Sequence, residues 1–331
     1  MGRYRRPDLR GVSRVVGMRI IVSGANGFVG RATCACLCDA GHAVTALVRR
    51  PGGCDPRVDE RLITDDNFAS LAPLPAADAF VHLAARVHVM NDSAGDPMKA
   101  YQAVNVEGSQ HVARAALDAG VKRFVFVSSI KALGEGEPGR PWREDDTPAP
   151  VDPYGITKLE AERVLAAFGR EHGMEVVSLR PPLVYGPGVR ANFEQLMKAV
   201  ERGVPLPLGA VHAHRSMVYA GNLADAIRFV ATRSGPMAGV YHVTDGDDLT
   251  VPQMIRSLAH AFGKPARLLP VPPSWLHALG RIAGRSAQVD RLTSPLRMDS
   301  TRLRTDLGWT PPVSVAQGIE RTVRAYQEAH R

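Results

Sequence analysis

The stretch Tyr154-Gly155-Ile156-Thr157-Lys158 has the residue types and spacing best suited to chemistry. On a helix, the tyrosine and the lysine four positions later share a face. A free phenol titrates at about pH 10, too high for proton exchange near neutrality. An ammonium a few ångströms away favours the phenolate and is expected to lower that value. A hydroxyl from Ser128 or Ser129, at the end of the apolar run RFVFVS, would polarise a carbonyl or an alcohol. Beside a nicotinamide, such a set performs hydride transfer, with the tyrosine as general acid or base.

The matching nucleotide signal lies upstream. Gly24-Ala25-Asn26-Gly27-Phe28-Val29-Gly30 has the spacing G-x-x-G-x-x-G, after the apolar run Met18–Ser23 and before a predicted helix, Phe28–Ala40. Glycines there permit a tight turn and let the backbone approach a pyrophosphate, whose charge the helix N-terminus favours. The ribose 2′ position is read about 20 residues on, at the end of the second strand, by an acid for NAD or an arginine for a 2′-phosphate. That end reads Leu47-Val48-Arg49-Arg50 and holds no acid. Arg49 and Arg50 could clamp a phosphate, so NADP(H) is favoured, with NAD(H) as the other possibility. No metal is expected. On the following helix Cys34 and Cys38 share a face that Cys36 does not, which suits packing better than a zinc tetrahedron.

These residues need a scaffold of alternating strands and helices, the mark of βαβ units and a parallel sheet. Strands are predicted at Met18–Ser23, Ala43–Val48, Arg61–Thr64, Ala79–Ala84, Arg123–Ser128, Glu175–Arg180 and Val240–Thr244. Helices are predicted at Met98–Ala119, Tyr154–His172, 192–202 and 222–233. The expected fold class is α/β, a Rossmann doubly wound parallel sheet with a smaller C-terminal α/β substrate domain. Residues 18–180 plus 211–246 would form the nucleotide-binding domain, and 181–210 plus 247–331 the smaller one. The Pro-rich segment Gly134–Pro153 reads as a long loop of the kind that serves as a lid.

With 45% apolar and 22% charged residues, wholesale disorder is excluded. Apolar runs are interrupted too early for a membrane-spanning helix. Four cysteines in 331 residues suit a reducing, cytoplasmic setting. The formal charge of +8 raises the question of a polyanionic partner. Half of that excess belongs to residues 1–17, where Arg3, Arg5, Arg6, Arg10 and Arg14 face only Asp8. This segment lacks the apolar core of a secretory signal and is expected to be a disordered leader. The polyanion reading therefore recedes, and no nucleic-acid partner is expected.

Eight segments in order resemble extended short-chain dehydrogenase/reductases, the group containing UDP-galactose 4-epimerase and other nucleotide-sugar enzymes. They are SGANGFVG (23–30), HLAA (82–85), NVEGS (105–109), VSSIKALG (127–134), YGITK (154–158), LRPPLVYGPG (179–188), RSMVYAGNLADAI (215–227) and DLGW (306–309). The resemblance implies NAD(P) in a Rossmann domain and a nucleoside-diphosphate sugar held by the C-terminal part. It assigns Gly24, Gly27, Phe28, Val29 and Gly30 to the pyrophosphate and Asp65 to the adenine. Leu83, Ala84 and Ala85 would line the cofactor wall, with Asn105 behind the active site. It selects Ser129 as the catalytic hydroxyl, Tyr154 as acid/base, and Lys158 as its partner and as a ligand of the nicotinamide ribose. On the substrate side it points to Asn192 and Arg215, then Arg291, with Lys131 either bonding the sugar or sitting in solvent.

The departures from the family pattern narrow the chemistry. Val48 stands where NAD-using epimerases carry aspartate. Ile130 and Lys131 replace the Asp-Glu pair of 4,6-dehydratases, and Leu183 replaces an asparagine near the sugar. The reading slightly favoured is a UDP-4-keto-6-deoxy-N-acetylhexosamine 4-reductase for polysaccharide precursors. The alternative is a UDP-glucose or UDP-N-acetylhexosamine 4-epimerase. A non-catalytic NADP-sensing regulator is a minor third reading, and a homodimer is the expected assembly.

Overall fold

The computed structural model describes residues 17–87, 96–284 and 286–331. Apart from Gly17, the expected leader lies outside them. In chain order the first half runs β1 (Arg19–Ser23), α1 (Phe28–Asp39), β2 (Ala43–Val48), β3 (Asp59–Leu62) and β4 (Ala79–His82). It continues through α2 (Pro97–Gln102), α3 (Gly108–Asp118), β5 (Arg123–Val127), α4 (Pro153–His172) and β6 (Glu175–Arg180). The second half holds β7 (Leu183–Tyr185), α5 (Ala191–Glu201), β8 (His214–Arg215), β9 (Met217–Tyr219), α6 (Ala220–Thr232), β10 (Gly239–His242) and β11 (Leu249–Thr250). Helices α7 (Val251–Ala261), α8 (Pro273–Ile282), α9 (Ser286–Thr293), α10 (Thr301–Leu307) and α11 (Val315–Ala329) close the chain.

Seven strands form one parallel sheet in the order β10-β6-β5-β4-β1-β2-β3. Alternation along β1 explains its central place. Ile20 and Val22 enter one core with Leu37 of α1 and Ile227 of α6, while Ile21 enters another with Phe80, Phe124, Val112 of α3 and Leu165 of α4. Helices therefore cover both faces, the doubly wound arrangement. The edge strand β3, of sequence Asp-Glu-Arg-Leu, is mostly exposed, which suits a charged edge.

A further apolar cluster gathers Tyr185, Met197 of α5, Ile255 and Leu258 of α7, and Ile319 and Val323 of α11. It lies beside two small sheets, β7 with β9 in parallel and β8 with β11 antiparallel. Leu303 and Trp309, expected with this C-terminal part, pack instead in the core beneath the main sheet.

Two expectations change. The helix predicted over 98–119 is interrupted by a π-helical turn at Ala103–Glu107, which sets Asn105 inward. The long loop after Gly134 is not a free lid. Trp142 N–H donates to Arg297 O at 2.9 Å, and Asp299 N–H donates back to Trp142 O at 2.8 Å. The Glu137 carboxylate grips the Arg297 guanidinium nearby. Trp142 is buried with Leu133 and Met298 in a cluster of its own, so the loop is stitched to the segment after α9.

Among the described residues no helix is long and apolar enough to cross a membrane.

Candidate active site

The carboxyl ends of β1 and β4 meet at the glycine turn. Gly24 has φ +69°, and a Cβ there would come within 2.7 Å of Ala84 N. Glycine is required to bring the turn against the Leu83–Ala85 wall. Gly27 is the N-cap of α1, and no side chain caps the helix. The first-turn amides, from Phe28 to Gly30, are therefore left to a ligand, and the helix dipole favours an anion there. A Cβ on Gly30 would clash with Gly24 O at 2.1 Å, so this glycine serves the close packing of the turn on the helix. The cradle fits a dinucleotide pyrophosphate.

Behind the wall, His82 joins three elements. Its Nδ1 lies 2.6 Å from Ser23 Oγ and its Nε2 3.1 Å from Ser109 Oγ, whose hydroxyl donates to Asn105 O. Burial, with a smaller effect from Lys158, pulls its pKa down to about 3, so it is a neutral structural link. Asn105 is 1% exposed. Its amide donates to Arg86 O and Thr157 Oγ1, and its carbonyl accepts from Arg86 N. These bonds occupy the side chain with protein partners, so it braces α4 against the cofactor wall.

Asp152 starts α4. Its Oδ1 accepts from Gly155 N at 2.7 Å, Pro153 takes the first helical position, and Tyr154 and Lys158 follow one turn apart. The Ser129 hydroxyl, which accepts from Lys131 N at 3.3 Å, is near enough to the Tyr154 phenol to favour its ionised form. Ser128, the other candidate, is buried, and its hydroxyl has no hydrogen-bond partner among the described residues. Lys158 is 1% exposed, donates from Nζ to Val127 O at 2.7 Å, and lies 4.0 Å over the Phe126 ring.

The electrostatics reverse one expectation. Burial pushes Tyr154 up to about 12, with the nearby Asp152 carboxylate adding to the rise and Ser129 partly offsetting it. Burial likewise pulls Lys158 down to about 7, partly countered by Glu162. Burial thus works against the charged form of both groups.

Glu162 was not singled out from sequence, although it stands four residues beyond Lys158. It is buried and chelates the equally buried Arg180, Nε to Oε1 at 2.9 Å and Nη2 to Oε2 at 2.6 Å. This ion pair is packed behind the catalytic lysine on α4.

On the substrate side, Lys131, Arg215 and Arg291 converge on Glu135. Lys131 Nζ lies 2.7 Å from Glu135 and 2.5 Å from Asp152. It is thus ion-paired rather than free in solvent, and it holds the acid that caps α4. Arg291 Nε stands 3.9 Å from Glu135. Arg215 donates to Arg291 O and Ser294 O, and its pKa is lowered by burial against the pull of Glu135. Asn192 is exposed at the second position of α5, after Ala191 at φ +56°.

At the adenosine end Arg49 pairs with Asp66 at 2.7 Å, both well exposed, and Arg50 O accepts from Asn26. The Asp65 carboxylate accepts from Ser70 N at 2.8 Å and closes its own loop. Cys34 is fully buried, and burial pushes its thiol up to about 12. Among the described residues no cluster of His, Cys, Asp and Glu could hold a metal ion.

Known proteins share this architecture. Residues 20–243 match the NAD dependent epimerase/dehydratase family. The chain is 40% identical over 320 residues to a UDP-glucose 4-epimerase of Vibrio cholerae, covering 94% of this chain and 96% of that protein. It is 28% identical over 251 residues to an N-acetyl-α-D-glucosaminyl-diphospho-ditrans,octacis-undecaprenol 4-epimerase of Escherichia coli O157:H7, covering 71% and 74%. The solved UDP-glucose 4-epimerase of Thermus thermophilus, in complex with NAD, superposes with a TM-score of 0.75 at 25% identity over 94% and 100% of the two chains. With its glycine cradle, doubly wound sheet and Ser-Tyr-Lys set, the chain belongs to the NAD dependent epimerase/dehydratase family, enzymes of the short-chain dehydrogenase/reductase type.

Proposed function

We propose that the protein is a nucleotide-sugar 4-epimerase acting on UDP-glucose or a UDP-N-acetylhexosamine. The observation that carries this reading is Tyr154 one helical turn before the buried Lys158 on α4, with Ser129 acting on its phenol. The 40% identity to a UDP-glucose 4-epimerase over nearly the whole chain supports it. Gly24, Gly27 and Gly30, the first turn of α1, the Leu83–Ala85 wall and Lys158 are the residues to hold NAD(H). The nicotinamide supplies the hydride acceptor and donor when bound.

The remaining work falls to the protein. As the phenolate, Tyr154 Oη takes the proton of the sugar C4 hydroxyl in one direction, and as the phenol it returns that proton in the other, while the Ser129 hydroxyl steadies the same oxygen. Lys158, held by Val127 O and lowered to about 7 by burial, stands one helical turn behind Tyr154. Asn105, Asp152 and Lys131 keep α4, and with it Tyr154, in register. Arg215, Arg291 and Asn192 are assigned to the sugar-nucleotide diphosphate, residues 181–210 plus 247–331 to a substrate domain, and a homodimer to the assembly.

A second reading is a UDP-4-keto-sugar 4-reductase using NADPH, within polysaccharide precursor synthesis. Its support is the acid-free end of β2, where Val48, Arg49 and Arg50 could admit a 2′-phosphate. Incubation with UDP-glucose, UDP-N-acetylglucosamine and a UDP-4-keto-sugar separates the two. Formation of the C4 isomer with no net change in reduced nicotinamide absorbance is the expected result. Stoichiometric loss of NADPH absorbance with the keto sugar, and no isomer from the others, would replace it by the reductase.

A further inference from the structure

Helix α8 has two apolar faces, and among the described residues only one is covered. Leu276 and Gly280 face inward, and Leu276 joins the C-terminal core. On the other side Trp275, Ala278, Leu279 and Ile282 form a stripe at spacing i, i+3, i+4, i+7, about 100° wide around the axis. Trp275 is 68% exposed, Leu279 60% and Ile282 85%. A contiguous apolar stripe of this size on a surface marks an interaction site.

The charge around the stripe indicates what covers it. Between residues 264 and 293 the sequence holds Lys264, Arg267, Arg281, Arg285 and Arg291 against the single acid Asp290. Arg281 is exposed, whereas Arg291 stands 3.9 Å from Glu135 and Lys264 is bonded to Glu201 O. Arg281 flanks the stripe on α8 itself, and Arg291 lies on α9, which packs against α8. Asp290 is engaged by His277 at 3.2 Å. A second copy seated on this face would set like charges against each other. An anionic bilayer surface satisfies both features: acyl chains and the interface take the tryptophan and the aliphatic side chains, and phosphate headgroups take the guanidinium.

We propose that the outer face of α8 is a membrane-docking surface that seats this enzyme on anionic lipid headgroups without crossing the bilayer. Trp275 enters the interface, Leu279 and Ile282 reach the acyl boundary, and Arg281 beside them sets the preference for anionic lipid.

The test uses the full chain and vesicles of phosphatidylcholine with or without phosphatidylglycerol. Co-sedimentation should be about tenfold stronger with phosphatidylglycerol and weaken with added salt. Trp142 and Trp309 are buried, so a blue shift of tryptophan emission on binding reports Trp275. The double variant Leu279→Glu/Ile282→Glu should lose both signals while its activity in solution stays at the parent level. Sedimentation equal to the parent's in that variant would place binding elsewhere, on the basic leader among other sites, and overturn the proposal. Absence of binding by the parent to phosphatidylglycerol vesicles would overturn it too. A variant that turns an oligomer into a monomer, with no vesicle binding by the parent, would show that a second copy covers the face.

Discussion

Replacing Glu162 by glutamine removes one charge from the most deeply buried ion pair among the described residues. The side chains of Arg180 and Glu162 are 4% and 5% exposed. Two hydrogen bonds of 2.9 and 2.6 Å join them, and Arg180 spends a third donor on Glu144 O at 3.3 Å. Glutamine keeps the volume and one acceptor but leaves the guanidinium charge uncompensated. Breaking a buried pair from one side costs about 3–5 kcal/mol, a large share of a total stability of about 5–15 kcal/mol. With a urea m-value of about 3 kcal/mol/M, the unfolding midpoint falls by about 1 M or more. Lys158 also loses the carboxylate that partly offsets its burial, so its pKa drops further below about 7. The assay is urea unfolding followed by fluorescence for the parent, Glu162→Gln, Arg180→Met and the double variant Glu162→Leu/Arg180→Met. Removing both charges should recover much of the single-variant loss. A Glu162→Gln protein within about 0.5 kcal/mol of the parent, the usual spread of neutral surface changes, would refute the reasoning.

Tyr154→Phe should cut turnover by about 10²–10⁴-fold while the cofactor dissociation constant, read by fluorescence titration, stays within a few-fold of the parent; near-normal turnover would remove Tyr154 from the acid/base role. Asp152→Ala should cost about 1 kcal/mol through the lost cap of α4 and lower kcat more than it raises KM, because Tyr154 sits in that first turn. Lys158→Met should flatten the pH dependence of stability. The folded lysine discharges at about 7 and the unfolded one at about 10.5, so between them the unfolded chain binds the extra proton, and parent stability rises relative to the variant by up to about 1.4 kcal/mol per pH unit. A constant parent–variant difference in urea unfolding from pH 7 to about pH 10 would contradict the buried, discharged lysine. Arg49→Asp should shift the NADPH/NADH preference toward NADH, and an unchanged ratio of kcat/KM values would free Arg49 from the 2′-phosphate site.

The parallel sheet was legible because its strands are short apolar runs closed by Gly, Ser or Arg, and because the turn at Gly24–Gly30 announces a strand-to-helix junction. The Tyr154–Lys158 spacing was equally readable, since a helical turn fixes which residues share a face. What the sequence hid depends on contacts between distant segments. Nothing local marks the π turn around Asn105; it exists because Asn105 must reach both Arg86 and Thr157. The ion pairs of Lys131 were hidden because Glu135 and Asp152 come together around it only in the fold. The sign of the Tyr154 shift was missed for the same reason. Spacing supplies proximity, but burial by the surrounding protein decides whether a proximal lysine stays charged. Glu162 did leave a signal, an acid one turn beyond a helical lysine, and Asp152 another, an Asp-Pro step opening the helix.

As a 4-epimerase, one site removes and returns the same hydrogen at C4, and Tyr154 handles only the hydroxyl proton. Incubating the protein with a UDP-sugar carrying deuterium at C4, in ordinary water, tests this directly. The expected product is the C4 isomer with deuterium retained at C4 and no net consumption of nicotinamide. Loss of the label to solvent, or product formed only with stoichiometric oxidation of added NADPH, would contradict it.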